Sequence, residues 1–538
     1  MGTGMKLRQR SQQVFEAIKQ GGKRSIRKIA EAIGIAKSSV HRHQQAIERR
    51  NQYPESELWE TAAGGQWLRL LVLGTVYTFG IKCGIGVETM SEFFYLLQLP
   101  MQIGVSPSAL HKLEVEVREA ILKYQQQQQS TLRQSQKAIE ICAAADETSF
   151  EQDVLVLMDL SSGYILLEEQ VENRQYQTWL DKAQTALTQV GVRVRSLVSD
   201  RAPALIKLAL EGFGCPSFAD LFHPLWDLSK SVGAALGRQF TQANQKLAQA
   251  QQRLVQLTAL AKDTTAQQQL VEQLQAHMEF VQSGQRTYHC LGQQLTLTIH
   301  PFALTDGSFK TTIEIQAQLE QLLLKLEMLQ NRHQLTKADS ALHKFRQQIP
   351  ALSVGVNSWW QWVQHSLLLE NLDMPLTNWL LRQVLPAVYW QHQLNKTKSR
   401  SLRRIYRQAY HRAQQALLAH SFTANLTDSE FELWREWAKS MAGKFHRASS
   451  AVEGRNGYLS HRHHAARGFW SNHLSVLTVI HNFDLKRADG TTAAQRLFGR
   501  QFPNLFAWVM QQIGELPRPR VSKKSALAQR LSLQSVPL

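Results

Sequence analysis

The chain has little cysteine and nowhere pairs it. Its 538 residues hold four, Cys83, Cys142, Cys215 and Cys290, with no C-x-x-C spacing. That scatter argues against a disulfide scaffold and against a zinc–thiolate site, and favours four buried free thiols in a reducing compartment. A long apolar run is also missing. The most apolar window, Trp67–Phe79, is too short to cross a bilayer and carries Arg69. The N-terminal stretch MGTGMKLRQRSQQ has no apolar signal core. There is no Walker-type phosphate loop, which argues against an ATP-driven mechanism. Acids are scarce relative to bases, 43 against 61, and the formal net charge is +18. A surplus of this size favours a polyanionic partner, most often nucleic acid, over a membrane surface. The expected location is cytoplasmic or nucleoid-associated. Hydrophobic residues make up 43% of the chain, enough for a real core, and the length suits roughly two to four domains.

What is present begins with a small basic helical unit, residues 1–50. Ile26, Ile29, Ala30 and Ile33 share one helix face, Gly34 breaks the helix, and a second helix starts near Lys37. This is helix-turn-helix spacing. Lys37, Ser38, Ser39, His41 and Arg42 stand at the start of the would-be recognition helix as candidate DNA contacts. Residues 51–135 read as helical, with a buried helix over Trp67–Tyr77. A second helix–turn–helix follows over Val87–Leu113, capped at Ser106-Pro107, as a candidate second DNA-binding unit. The glutamine run Gln125–Gln129 reads as a solvated helix end or linker.

Residues 136–230 are strand-rich. The stretch Ala138–Phe150, AIEICAAADETSF, is an apolar run that stops on Asp146 and Glu147. Alternating runs follow at Val154–Asp159 and Tyr164–Val171. Helical spacing then covers Asn173–Val190, and a fourth strand over Val192–Val198 ends on Ser199-Asp200. A helix from Pro203, a short strand over Pro216–Phe222 and a helix opening at His223 complete the order β-β-β-α-β-α-β-α. That is a mixed sheet flanked by helices, the order of a ribonuclease H-like fold. A carboxylate at a buried strand end costs desolvation energy unless hydrogen bonds or a divalent cation offset it.

Residues 231–440 read as an all-helical insertion. Leu247, Ala250, Leu254, Leu257 and Ala261 in one helix, and Leu319, Leu322, Leu326 and Leu329 in another, suit an antiparallel coiled-coil arm. Gln294–His300 alternates as a lone strand. Trp359, Trp360 and Trp362 read as core. The basic run Lys396–Arg412, with Arg403 and Arg404 interleaved with Tyr406 and Tyr410, suits a phosphate-tracking surface or a solvated face. Residues 441–515 bring Glu453 among Arg447, Arg455, Arg462 and Arg467, and complete the catalytic domain. Residues 516–538 form a basic tail, expected to be mobile.

Two-metal phosphoryl chemistry needs about three carboxylates on a rigid frame to hold ions roughly 3.5–4 Å apart. Asp146 and Asp200 would be neighbours if their strands pair, and Glu453 would arrive from a late helix. Each has a plainer role open to it. Glu147 could be the ligand in place of Asp146, Asp200 could only cap the next helix, and Glu453 could pair with Arg447 or Arg455, leaving Glu432 or Glu436 in reserve. His223 could support the metal site, contact DNA or serve structure. His461, His463 and His464 lack zinc spacing and read as a DNA-facing turn.

The stretches AADETSF, VRSLVSDRAPALIKLA, FADLFHPLWDLSK and ASSAVEGRNGYLSHRHHAARGF resemble the DDE transposases of bacterial insertion sequences. The resemblance covers roughly Ile139–Ser231 and Lys444–His481. It implies a ribonuclease H-like catalytic domain and a triad of Asp146, Asp200 and Glu453 binding two Mg²⁺ or Mn²⁺ ions. It further implies cleavage at transposon ends, strand transfer by the freed 3′-hydroxyl, double-stranded DNA as partner, and a dimer or larger assembly. Two other readings stay open: a DNA-binding protein with an inactive domain, and a metal-dependent nuclease without strand transfer.

Overall fold

The structure is a computed structural model and describes residues 7–21, 25–51, 54–132, 138–466, 468–469 and 472–519. The expected tail lies outside the described residues from 520 onward, and Arg467 also lies outside them. Two compact units are present, Met1–Thr131 with Ser460–Leu538, and Leu132–Leu459. The expected completing segment 441–515 is therefore divided. From Ser460 onward it belongs with the N-terminal helices, because Phe483 and Trp508 pack edge-on to Tyr124, at 5.4 and 5.5 Å between ring centres. No helix among the described residues is long and apolar enough to cross a membrane.

The first unit opens with α1 (Leu7–Gly21), α2 (Ile26–Ile33) and α3 (Lys37–Arg50). Val14, Phe15, Ile29, Val40 and Ile47 form their shared core. Ser25 caps α2, and Gly34 ends it at φ +67°, a left-handed conformation that glycine adopts without strain. The α2–turn–α3 unit is thus where the spacing placed it, braced by α1. Next come α4 (Ala62–Thr75), α5 (Val87–Leu96) and α6 (Pro107–Leu132). Ser106 Oγ accepts from the Ala109 N–H at 3.3 Å, as a cap should. The helix expected to be buried over Trp67–Tyr77 is buried on one face only. Leu68, Val72 and Val76 are fully covered, whereas Trp67 is 62% exposed. The glutamine run lies within α6.

The second unit is a helical assembly around one sheet. Its strands are β1 (Ile139–Ser149), β2 (Asp153–Asp159) and β3 (Ile165–Val171), then β4 (Val192–Ser199) after α7 (Tyr176–Val190). α8 (Pro203–Lys207), β5 (Ser217–Ala219) and α9 (Phe222–Leu228) follow. The spatial order is β3-β2-β1-β4-β5. β1, β2 and β3 pair antiparallel, while β4 and β5 join parallel to β1 and β4 in turn. Among the described residues the chain is mostly helical with one mixed sheet, as expected.

The long helical part holds α10 (Ala234–Ala259), α11 (Thr265–Thr298), α12 (Thr312–His333) and α13 (Asp339–Leu368). It continues through α14 (Met374–Trp379), α15 (Leu385–Lys396), α16 (Arg400–Ala419), α17 (Ser421–Ala424) and α18 (Asp428–Gly443). Two expectations fail here. Gln294–His300 is no strand, and Gln294–Thr298 is the last turn of α11. Leu291, Leu295 and Thr298, spaced four and three apart, share that helix's buried face, and this packing overrides a short alternation. The coiled-coil partners also differ. α10 lies against α11, its neighbour in sequence, while Leu319, Leu322, Leu326 and Leu329 of α12 enter the main core with α13. Trp359 is in that core and Trp360 packs against it, while Trp362 is buried, as expected.

Candidate active site

β1 and β4 run parallel, with Ala143 opposite Leu197 and Ala144 opposite Val198. Two residues further, the same register brings Asp146 level with Asp200. The two acids are neighbours at the carboxyl end of β4. Asp146 is not at a strand end, however: β1 continues to Ser149 because β2 still pairs with it, Asp146 lying opposite Val156. It is β4 that stops. Asp200 does cap the turn into α8, as Oδ1 accepts the Ala202 N–H at 2.8 Å. That uses one oxygen and leaves the other.

Glu453 comes from the first turn of α19 (Ser450–Ala466). Three buried contacts hold the start of this helix to the sheet. Asp220, just past β5, accepts from the Ser449 N–H at 2.9 Å and from Ser449 Oγ at 2.8 Å. Arg455 makes a two-pronged pair with Glu168 of β3, each contact 2.6 Å and both side chains almost wholly buried. Asn456, one turn after Glu453 on the same face, donates Nδ2–H to Asp146 Oδ2 at 2.8 Å across 310 residues of chain.

The electrostatics follow from this crowding. Burial, and then the charge and hydrogen bond of Glu453, push the Asp146 carboxyl up to about 8, with Asp200 adding to the rise and His223 opposing it. Glu147 is raised by burial and by Asp200, against the pull of Arg174, with which it pairs at 3.3 Å. Glu453 Oε1 and Glu147 Oε2 are buried and accept no hydrogen bond. The His223 Nε2 atom is 3.2 Å from Glu453 Oε1, a charge contact without hydrogen-bond alignment. Hard carboxylate oxygens forced together, buried and short of donors suit a divalent cation.

Asp220, His223 and Glu453 form a tighter cluster, with one ligand-type atom from each within 4.8 Å. Its chemistry is different. Asp220 already accepts from Phe222 N–H, Ser449 N–H, Ser449 Oγ and His223 Nδ1. The bond to Asp220 raises the His223 pKa to about 9, so the ring is an imidazolium at neutral pH and offers no lone pair. This cluster positions Glu453.

The other expected residues are scattered. Lys37, Ser38, His41 and Arg42 are exposed on α3 and Ser39 is half-buried; Arg403 and Arg404 are exposed on α16. Three arginines expected to face DNA do not. Arg455 is committed to Glu168. Arg447 donates to the Thr296 and Ile299 carbonyls and lies 3.1 Å from His300 Nε2. Arg462, in the first unit, is buried and donates to the Ile81 carbonyl at 2.9 Å. Guanidinium groups held by buried acceptors are not available to phosphates. Glu432 and Glu436 pair with Arg435 and Lys439 on α18, and none of His461, His463 and His464 belongs to a metal-sized cluster among the described residues.

Sequence reasoning missed Asp220, Ser449, Asn456 and Glu168. Asp220 follows β5 as Asp200 follows β4, and the spacings Asp220-x-x-His223 and Glu453-x-x-Asn456 are one helical turn, so part of the signal was present.

Residues 380–525 match DUF6399, a family of unknown function. No curated protein and no solved structure matches the chain.

Proposed function

We propose that the protein is a DNA transposase of the DDE type, with a ribonuclease H-like catalytic domain that cuts DNA at element ends and joins the freed 3′-hydroxyl to a target. The observation that carries this reading is the meeting of Asp146, Asp200 and Glu453 at one end of the sheet, with Asp146 and Glu453 in contact. The sheet order β3-β2-β1-β4-β5 supports the domain assignment. The exposed polar start of α3 and the net charge of +18 support DNA as partner. The protein would act on the nucleoid, in the cytoplasm, as a dimer or larger assembly that brings two ends together.

The three carboxylates would hold two Mg²⁺ or Mn²⁺ ions, which supply activation of the attacking oxygen and stabilisation of the leaving one. This chain's residues do the rest. Asn456 fixes the Asp146 carboxyl through its bond to Oδ2. His223, charged and held by Asp220, keeps Glu453 turned toward the sheet. In the metal-free protein Asp146, its pKa raised by burial and by the nearby Glu453, holds a proton that must leave before its carboxylate can bind a cation. A charged His223 is also a poor general base.

The test is a plasmid carrying the element's ends, incubated with purified protein and Mg²⁺. End cleavage is expected for the wild type and background for Asp146→Ala, Asp200→Ala and Glu453→Ala. Cutting that survives Asp200→Ala would overturn the triad. End binding without cutting by the wild type would favour the inactive-domain reading.

A further inference from the structure

Toward its amino end β4 is left open along one edge. It pairs with β1 from Val192 to Val198 but with β5 only from Leu197 to Ser199, because β5 is three residues long. Beside the uncovered edge lies a cavity of about 200 Å³, closed by residues of α13 and by Lys444–His446. Its charged lining has one sign: Arg193, Arg195 and Lys444 contribute, and no Asp or Glu does.

Two of the basic side chains lining it are occupied. Arg195 lies 3.5 Å from Glu140, and His446 lies 3.1 Å from Ser161 Oγ. Lys444 is different. Its Nζ rests over the Trp362 ring, 4.7 Å from the centre, and has no hydrogen bond or ion pair with any described residue. Burial lowers its pKa below the ordinary lysine value, and Glu140 and Asp159 act on it only at longer range. A half-buried ammonium without an acceptor pays a desolvation cost that an oxyanion in the cavity would offset. The volume is below the roughly 300 Å³ at which pockets for larger ligands begin, so a single anionic group suits it better than a whole cofactor.

We infer that this cavity is a phosphate subsite, in which Lys444 and Arg193 hold one phosphate group. A nucleic-acid backbone and a free phosphate monoester share that chemistry, and the net charge of +18 favours the backbone. At ~3.3 Å per residue, Val194 and Asp200 are about 20 Å apart along β4. A phosphate held here positions the substrate at a distance from the acids and takes no part in bond cleavage. The backbone assignment rests on the proposed DNA partner and not on the cutting chemistry.

The experiment measures binding of a short labelled duplex to the full-length protein in EDTA across a salt series. Lys444→Gln and Arg193→Gln are each expected to weaken binding about three- to tenfold and to reduce the slope of log K against log salt by about 1. Lys444→Arg should restore both, and melting curves should match the wild type. Lys262→Gln, at the exposed turn after α10, is the control for simple loss of charge. Unchanged binding in Lys444→Gln, or an equal loss in Lys262→Gln, overturns the subsite if inorganic phosphate and a mononucleotide also bind the variant as they bind the wild type. If only the mononucleotide depends on Lys444, the subsite stands with a free monoester as its occupant. Lys444-dependent duplex binding by a protein that never cuts would remove the transposase and keep the subsite.

Discussion

Two groups of acids meet at α19, and they have opposite surroundings. Glu168 and Asp220 have their oxygens fully used, by Arg455 in one case and by Ser449, Phe222 and His223 in the other. Asp146 and Glu453 face each other, and Glu453 keeps a buried oxygen that accepts nothing. A satisfied buried acid is a fastening, and its loss costs stability. A crowded, unsatisfied one destabilises the empty fold and is retained for what it can bind. Substitutions in the two groups should therefore move stability in opposite directions.

The largest effect is expected at the fastening. Arg455→Ala leaves Glu168 buried and unpaired and should cost about 3–5 kcal/mol, read by chemical denaturation. Replacing both partners with apolar residues of similar volume should recover most of it. If Arg455→Ala melts like the wild type, the pair is not holding α19.

Asp220→Asn comes next, at about 1–3 kcal/mol, because Ser449 and His223 lose a charged acceptor. Cleavage should also fall about 10- to 100-fold, as for a residue that orients a ligand. Rescue of cleavage by excess Mg²⁺ would mark weakened metal affinity, and unchanged cleavage would separate Asp220 from the site.

Asp146→Asn should have the opposite sign in EDTA. The Asp146 pKa is raised from its ordinary 3.8 to about 8, so the folded state binds the proton more tightly than the unfolded one. Its stabilising contribution is whole below about pH 4 and is lost as pH rises through about 8. Melting temperature of the metal-free wild type should fall across that window, and Asp146→Asn should flatten the decline. Mg²⁺ at 100 times its Kd should add about 2.7 kcal/mol to the wild type and nothing to the variant. A wild type indifferent to Mg²⁺ would end the cation reading. The smallest effect on stability belongs to Arg42→Ala on exposed α3, within about 0.5 kcal/mol, with its consequence confined to weaker DNA binding.

The chain's own pattern was enough for a good deal. Asp146 at the end of an apolar run and Asp200 just past an alternating one, the glycine at the α2–α3 turn and the β-β-β-α-β-α-β-α order are local features, and local backbone preference and hydrophobic period decide them. Packing decided the rest. Gln294–Thr298 has the alternation of a strand and lies in a helix because Leu291 and Leu295 had a core to enter. Arg447, Arg455 and Arg462 look like phosphate ligands on paper, yet folding commits them to acceptors from distant parts of the chain. Whether an arginine faces water or Glu168, and whether an acid is satisfied like Asp220 or strained like Asp146, depends on groups hundreds of residues away. Charge and spacing are written into the sequence, but burial and partnership exist only after the helices close on the sheet.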